Sequence, residues 1–139
     1  MQSSKVNLAA LLLRVSLGAM FIAHGLLKLM VFTMAGTSQF FEQVGFAGWM
    51  AYPVTYFEIV AGILLIAGFY SRYVAAAGIP VLLGALYVHS GNGWLFTAQN
   101  GGWEYPAFLT ITAIVVTLLG DGEYSIRSMF VNKNQAARA

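Results

Sequence analysis

A chain of 139 residues is sized for one domain, but 59% hydrophobic and only 9% charged side chains, with a mean hydropathy of +0.73, cannot wet the surface of a soluble monomer, since soluble domains carry about 25% charged residues. A net charge of +2 with no basic run or stripe excludes a nucleic-acid face. The absence of cysteine excludes disulfides, thiol relays, thiolate metal sites and covalent c-type haem, so any redox role needs a bound cofactor or a partner protein.

The first apolar run covers about residues 8–30. Arg14 interrupts it and no A-x-A site follows, so it reads as a retained helix rather than a cleaved signal. Arg14, Gly18, Phe21, Gly25 and Lys28 recur at 4-3-4-3 spacing, which is one helix face, and His24 sits one turn before Lys28. The glycines let a neighbouring backbone approach, so this face turns inward. Arg14, nearer the inner end, reads as a snorkelling anchor. In the loop 31–52, TSQFFEQVGFAGWM predicts a short interfacial helix with Phe40, Phe41, Phe46 and Trp49 in the lipid boundary.

The second run, about 53–69, carries one acid, Glu58, roughly 7–8 Å inside its outer end, with Gly62 a turn deeper. A tight turn leads to the third run, about 73–89, making an antiparallel hairpin. That run contains Pro80, a predicted kink, and ends at His89 above Gly78, Leu82 and Ala85. The loop 90–104 is rich in Gly, Asn and aromatics. The fourth run, about 105–119, follows Glu104 and ends at Gly120-Asp121-Gly122. In the tail, 120–139, residues after Asn132 read as loose.

Run length and the lack of a period-2 pattern favour helices, which satisfy their own backbone in lipid. The predicted fold is therefore all-α: a single-domain bundle of four transmembrane helices, the last three near the short limit of about 17 residues. An even number of crossings puts both termini on one side. Lys5, Arg14, Arg72, Arg127, Lys133 and Arg138 fall on that side and Lys28 toward the other, so both termini are expected in the cytoplasm. Trp49, Trp94 and Trp103 with Tyr52, Tyr56 and Tyr105 make an outer aromatic belt.

This topology places His24, Lys28, Glu58, His89 and Glu104 in the outer half of the bundle, with every helix contributing. An ionisable group at a helix centre costs about 2.5–3.5 kcal/mol in a membrane and less near the interface. A shared polar chamber therefore points to function. The structural alternatives are Lys28 snorkelling to the outer headgroups, His24 bonded to a carbonyl in a helix interface, and Glu58 paired with Lys28 or Arg14.

LLLRVSLGAMFIAHGLLKL (11–29), YFEIVAGILLIAGFYSR (56–72), VHSGNGW (88–94), GGWEY (101–105) and GDGEYS (120–125) occur in an order that resembles the DoxX family of small four-helix membrane proteins. The resemblance covers about residues 8–128. It implies an oxidoreductase component of a bacterial inner membrane, similar to the membrane subunit of an archaeal thiosulfate:quinone oxidoreductase. It also implies a link to a mycobacterial relative described as a membrane partner of superoxide dismutase and a sulfurtransferase. Carried over by motif, the residues that matter are Arg14, His24, Lys28, Glu58, His89, Asn92, Glu104 and Tyr105.

Three readings follow. In the first, a quinone enters from lipid, His24 and Lys28 donate to one carbonyl oxygen, and Glu58 or Glu104 carries protons. Electrons come from a redox partner, because the chain has no flavin fold and the GNG at 91–93 is not a dinucleotide fingerprint. In the second, His24 and His89 hold haem, or these two with Glu58 and Glu104 hold zinc or iron, although Lys28 beside His24 opposes a cation. In the third, the chain is a non-catalytic scaffold or carrier in an oxidative-stress or sulfur-metabolism complex. The partners expected are lipids and redox proteins, with homo-oligomerisation left open.

Overall fold

The computed structural model describes residues 3–138. Helix α1, Ser4–Leu26, starts where the Ser3 hydroxyl accepts from Val6 N, four residues before the predicted start. At its far end it widens into a π-turn, Leu27–Val31, closed by Phe32 N donating to Leu27 O at 3.0 Å. Helix α2, Thr33–Gln43, follows directly. The predicted loop helix thus exists but begins earlier than the TSQ motif, because the Thr33 hydroxyl accepts from Gly36 N and caps the new turn.

A 3-10 turn, Gly48–Met50, runs into α3, Ala51–Ala67. Gly68 ends α3 in the left-handed conformation, φ 72°, which leaves Gly68 N and Phe69 N each 3.0 Å from Leu64 O. Helix α4, Ser71–His89, contains Pro80, and a further 3-10 turn covers Ser90–Asn92. Helix α5, Glu104–Leu119, ends at Gly120. The tail is not loose: α6, Ile126–Ala136, forms where the Ser125 hydroxyl accepts from Ser128 N at 3.2 Å.

Helices α1 and α3 pack along each other, as do α4 and α5; α3 against α4 and α1 against α5 close the arrangement. The α1–α3 approach depends on two glycines. A Cβ on Gly18 would lie 2.7 Å from Gly62 O, and one on Gly62 would lie 2.6 Å from Gly18 O. This is backbone against backbone, as small residues permit between membrane helices. Gly78 on α4 similarly receives the Phe21 ring. The core between the helices is Leu17, Phe21, Leu65, Ala75, Leu82, Leu109, Ala113 and Val116.

The outside is also apolar. Val60, Ile63, Leu83, Phe108, Ile111 and Leu118 all face outward. Helical stretches Ser4–Val31, Gly48–Ala67 and Ser71–Asn92 are long and apolar enough to cross a membrane, while α5 is apolar but 16 residues long. A helix that is hydrophobic all round belongs in a core or in lipid, and here the outward residues have no core to enter.

Arg14 does not snorkel. It is 1% exposed and its guanidinium is spent on backbone carbonyls: Leu65 O at 2.9 Å, Ile66 O at 2.6 Å, Asp121 O at 3.1 Å, and Tyr124 O. The end of α3 leaves carbonyls without intrahelical partners, and Arg14 satisfies two of them while tying down the turn after α5. Asp121 completes the latch. Its Oδ1 accepts from Ser71 N at 2.7 Å, capping α4, and its Oδ2 pairs with Arg127 at 3.2 Å. Asn7 Oδ1 accepts from Glu123 N at 3.2 Å.

Candidate functional site

At the opposite end of the helical ring, α1 to α5 enclose a cavity of about 350 Å³. Lys28 reaches it from the π-turn and Glu58 from α3. Lys28 Nζ donates to Glu58 Oε1 at 3.0 Å and Oε2 at 2.7 Å, and Glu58 is only 5% exposed. The carboxylate is thus gripped on both oxygens by a cation that is itself only partly buried, its side chain 20% exposed against 7% for Glu58. The π-turn positions that cation. Widening the helix shifts the backbone register, and the buried Thr37 hydroxyl of α2 donates to Lys28 O at 3.2 Å and Thr33 O at 2.8 Å. Thr37 therefore fastens α2 over the cavity.

His24 lies one turn below Lys28. Its Nδ1 is 2.8 Å from Met20 O, and because a carbonyl can only accept, Nδ1 donates, which leaves Nε2 outside that bond. Tyr105 of α5 stacks on this imidazole, with ring centroids 6.1 Å apart, and its hydroxyl donates to Met20 Sδ at 2.6 Å. Across the cavity, His89 Nδ1 donates to Gly101 O at 3.1 Å. His24, Lys28, Glu58, His89 and Tyr105 all line the same space.

Other expected site residues lie elsewhere. Asn92 donates to Gly101 O at 2.8 Å and Asn100 O at 3.3 Å, so it clamps the loop between α4 and α5 and shares the Gly101 carbonyl with His89. Glu104 begins α5 outside the cavity lining, and Arg14 belongs to the latch at the other end. Among the described residues no group of three or more His, Asp or Glu is arranged around a metal ion, so the set His24, His89, Glu58 and Glu104 is not assembled. Glu58 is instead occupied by Lys28.

Phe40, Phe41 and Phe46 also line the cavity, Phe40 while keeping nearly half of its surface exposed. The segment they occupy folds back over the helix ends, because Thr37 is bonded to the π-turn. The rest of the wall is apolar, with Leu17, Phe21, Met50, Val54, Leu82 and Leu109 among its members. Thr37 and the π-turn carry no signal in the sequence; a threonine on an amphipathic loop helix is unremarkable until its partner carbonyl is seen.

The DoxX family model matches residues 9–91, more than half of the chain and four of the five polar residues of the cavity. The chain belongs to the DoxX family. A protein of Bacillus subtilis (strain 168) named "Putative oxidoreductase CatD" is 34% identical over 114 residues, which is 82% of this chain and 81% of that protein. No solved structure matches the chain. Within this DoxX chain the family match takes in α1 to α4 and stops short of Asn92, Glu104 and Tyr105. The histidine–lysine–glutamate cluster therefore lies in the matched part, while the Tyr105 stack lies beyond it.

Proposed function

We propose that this DoxX chain is a four-span protein of a bacterial inner membrane, with both termini cytoplasmic, whose outer cavity binds a quinone or a small molecule of like shape. The reading rests on one observation: a buried Glu58 paired with a partly buried Lys28, and two histidines, lining an otherwise largely apolar cavity. Binding sites for small amphiphiles combine apolar walls with a few convergent polar groups. For the topology, α5 spans about 24 Å at 1.5 Å per residue, a shortfall that local bilayer thinning absorbs. The bias of Lys and Arg toward one end sets the orientation.

Reducing a quinone to a quinol adds two electrons and two protons. The electrons come from a redox partner protein. In this chain, Lys28 donates a hydrogen bond to a carbonyl oxygen, and His24 Nε2 and the Glu58 carboxylate hold protons near it. The phenylalanines of α2 wall off water. Similarity to a relative whose name is oxidoreductase supports a redox assignment at that general level.

The test is titration of purified protein with menaquinone and ubiquinone analogues. Saturable binding that weakens at least tenfold in Glu58→Gln and in His24→Ala supports the reading. No saturable binding, or binding indifferent to both substitutions, removes it and leaves a scaffold role, which pull-down of the same partners by the double variant would favour.

A further inference from the structure

The last helix is the part of the molecule that the cavity does not use. None of the residues of α6 is buried. An isolated helix shorter than about 12–15 residues is marginal in water, and α6 has 11. Its apolar side chains Ile126, Met129 and Phe130 find little cover among the described residues.

The pattern of α6 says what would cover them. Ile126, Met129 and Phe130 stand at i, i+3 and i+4, forming one apolar stripe; Met129 is 63% exposed and Phe130 60%. Ser128, Val131 and Gln135 lie on the opposite face and Asn132 on the flank beside Met129, while Lys133, at i+7, stands in line with the stripe. Residues 126–138 carry Arg127, Lys133 and Arg138 and no acidic side chain. The helix is also held at a fixed level. Its first turn is tied to the end of α3 by Arg127 N donating to Gly68 O at 3.4 Å, and a short segment links it to the end of α5. Exposed Phe69, Tyr70, Tyr73 and Tyr124 crowd the same end, and Arg127 sits over the Tyr70 ring at 4.6 Å. Aromatic rings of this kind mark a membrane–water boundary. Beside α6, a cleft of about 530 Å³ is lined by Arg72 and Arg127, with Asp121 neutralising part of their charge.

We propose that α6 is an interfacial helix that lays its Ile126–Met129–Phe130 stripe among the acyl chains of an anionic leaflet, with its basic side chains and Arg72 against the lipid phosphates. An apolar face plus cationic flanks suits such a surface, and basic residues are drawn to an anionic leaflet within a Debye length of it. A second copy of the chain would meet the same positive charge on both sides, which favours lipid as the occupant. The proposal needs the membrane placement of the helical ring but not the identity of any cavity ligand.

Because the chain has no cysteine, single thiols can be introduced and spin-labelled without background. The full chain is placed in nanodiscs of phosphatidylglycerol or phosphatidylcholine, with labels at Met129→Cys, Phe130→Cys, Asn132→Cys and Gln135→Cys, and Ile63→Cys on α3 as a lipid-facing reference. In phosphatidylglycerol, the expected ratio of oxygen to nickel-chelate accessibility is several-fold higher at 129 and 130 than at 132 and 135. The contrast is expected to shrink in phosphatidylcholine and in an Arg127→Gln/Lys133→Gln background. Equal, water-like ratios at all four α6 positions, with Ile63→Cys still in lipid, overturn the proposal without touching the membrane assignment. Immersion that is the same in both lipids overturns its anionic part. Spin–spin broadening between copies at 129 would assign the stripe to self-association instead.

Discussion

Glu58 presents both carboxylate oxygens to one ammonium group: Lys28 Nζ lies 2.7 Å from Oε2 and 3.0 Å from Oε1, across the gap between the π-turn and α3. The two residues are 30 positions apart and belong to helices whose backbones touch at Gly18 and Gly62. The position of each charge is thus set by the same close packing that creates the cavity.

Removing one member of this pair strands the other. Lys28→Met is expected to lower stability by about 2–4 kcal/mol, because the buried Glu58 charge loses its partner, and Glu58→Gln by less, because Lys28 retains access to water. The double variant is expected to recover most of the loss. Thermal unfolding in detergent reads all three, and a double variant as unstable as the sum of the singles would show that the pair is not coupled.

The glycines on α1 and α3 offer a contrast with α4. Gly18→Ala puts a methyl group against Gly62 O, whereas Gly84 has open space around its Cβ position. Gly18→Ala is therefore expected to push α1 from α3, lowering the melting temperature and loosening the Lys28–Glu58 contact. Gly84→Ala is expected to be neutral or to stabilise by up to about 1 kcal/mol through helix propensity. Melting curves of the two variants check this.

Arg14→Met is isosteric enough to fill its site but donates nothing. Four carbonyls then lose a charged donor, each such bond contributing about 1.5–3 kcal/mol. The expected result is a loss of several kcal/mol, with faster proteolysis confined to the segment between α5 and α6. Unchanged cleavage there would show that Asp121 and Asn7 hold the latch without it.

Asn92→Ala is expected to free the α4–α5 loop while leaving the Lys28–Glu58 end in place. Hydrogen exchange is expected to speed up at residues 93–103, with little change in α1 and α3. If Asn92 instead served a ligand, analogue affinity would fall with exchange unaltered.

The sequence was most legible where a residue type has few places to be. Gly18 and Gly25 mark a face of α1 open to a neighbouring backbone without saying which, and the pairing of Glu58 with Lys28 is one of the structural alternatives the sequence offers, Arg14 being the other. Arg14 was placed on the right face and assigned the wrong task, because snorkelling and carbonyl capping demand the same spacing and differ only in what lies opposite. The π-turn and the Thr37 bond were invisible, since both depend on two segments meeting in space. The helical tail was missed because α6 has little intrinsic preference for helix; Ser125 starts it, and one serine among polar residues is weak punctuation.

The latch at the end of α3 also joins parts of the chain that are far apart in sequence. Arg14 bonds to the carbonyl of Asp121, 107 residues later in the chain, and the start of α4 is capped by that same aspartate. Without the turn after α5, Arg14 would keep only the Leu65 and Ile66 carbonyls of α3, and Ser71 N at the start of α4 would have no carboxylate to donate to. One short turn thus closes two distant joints at once, the inner end of the first helix and the opening of the fourth, so a change there is felt at both.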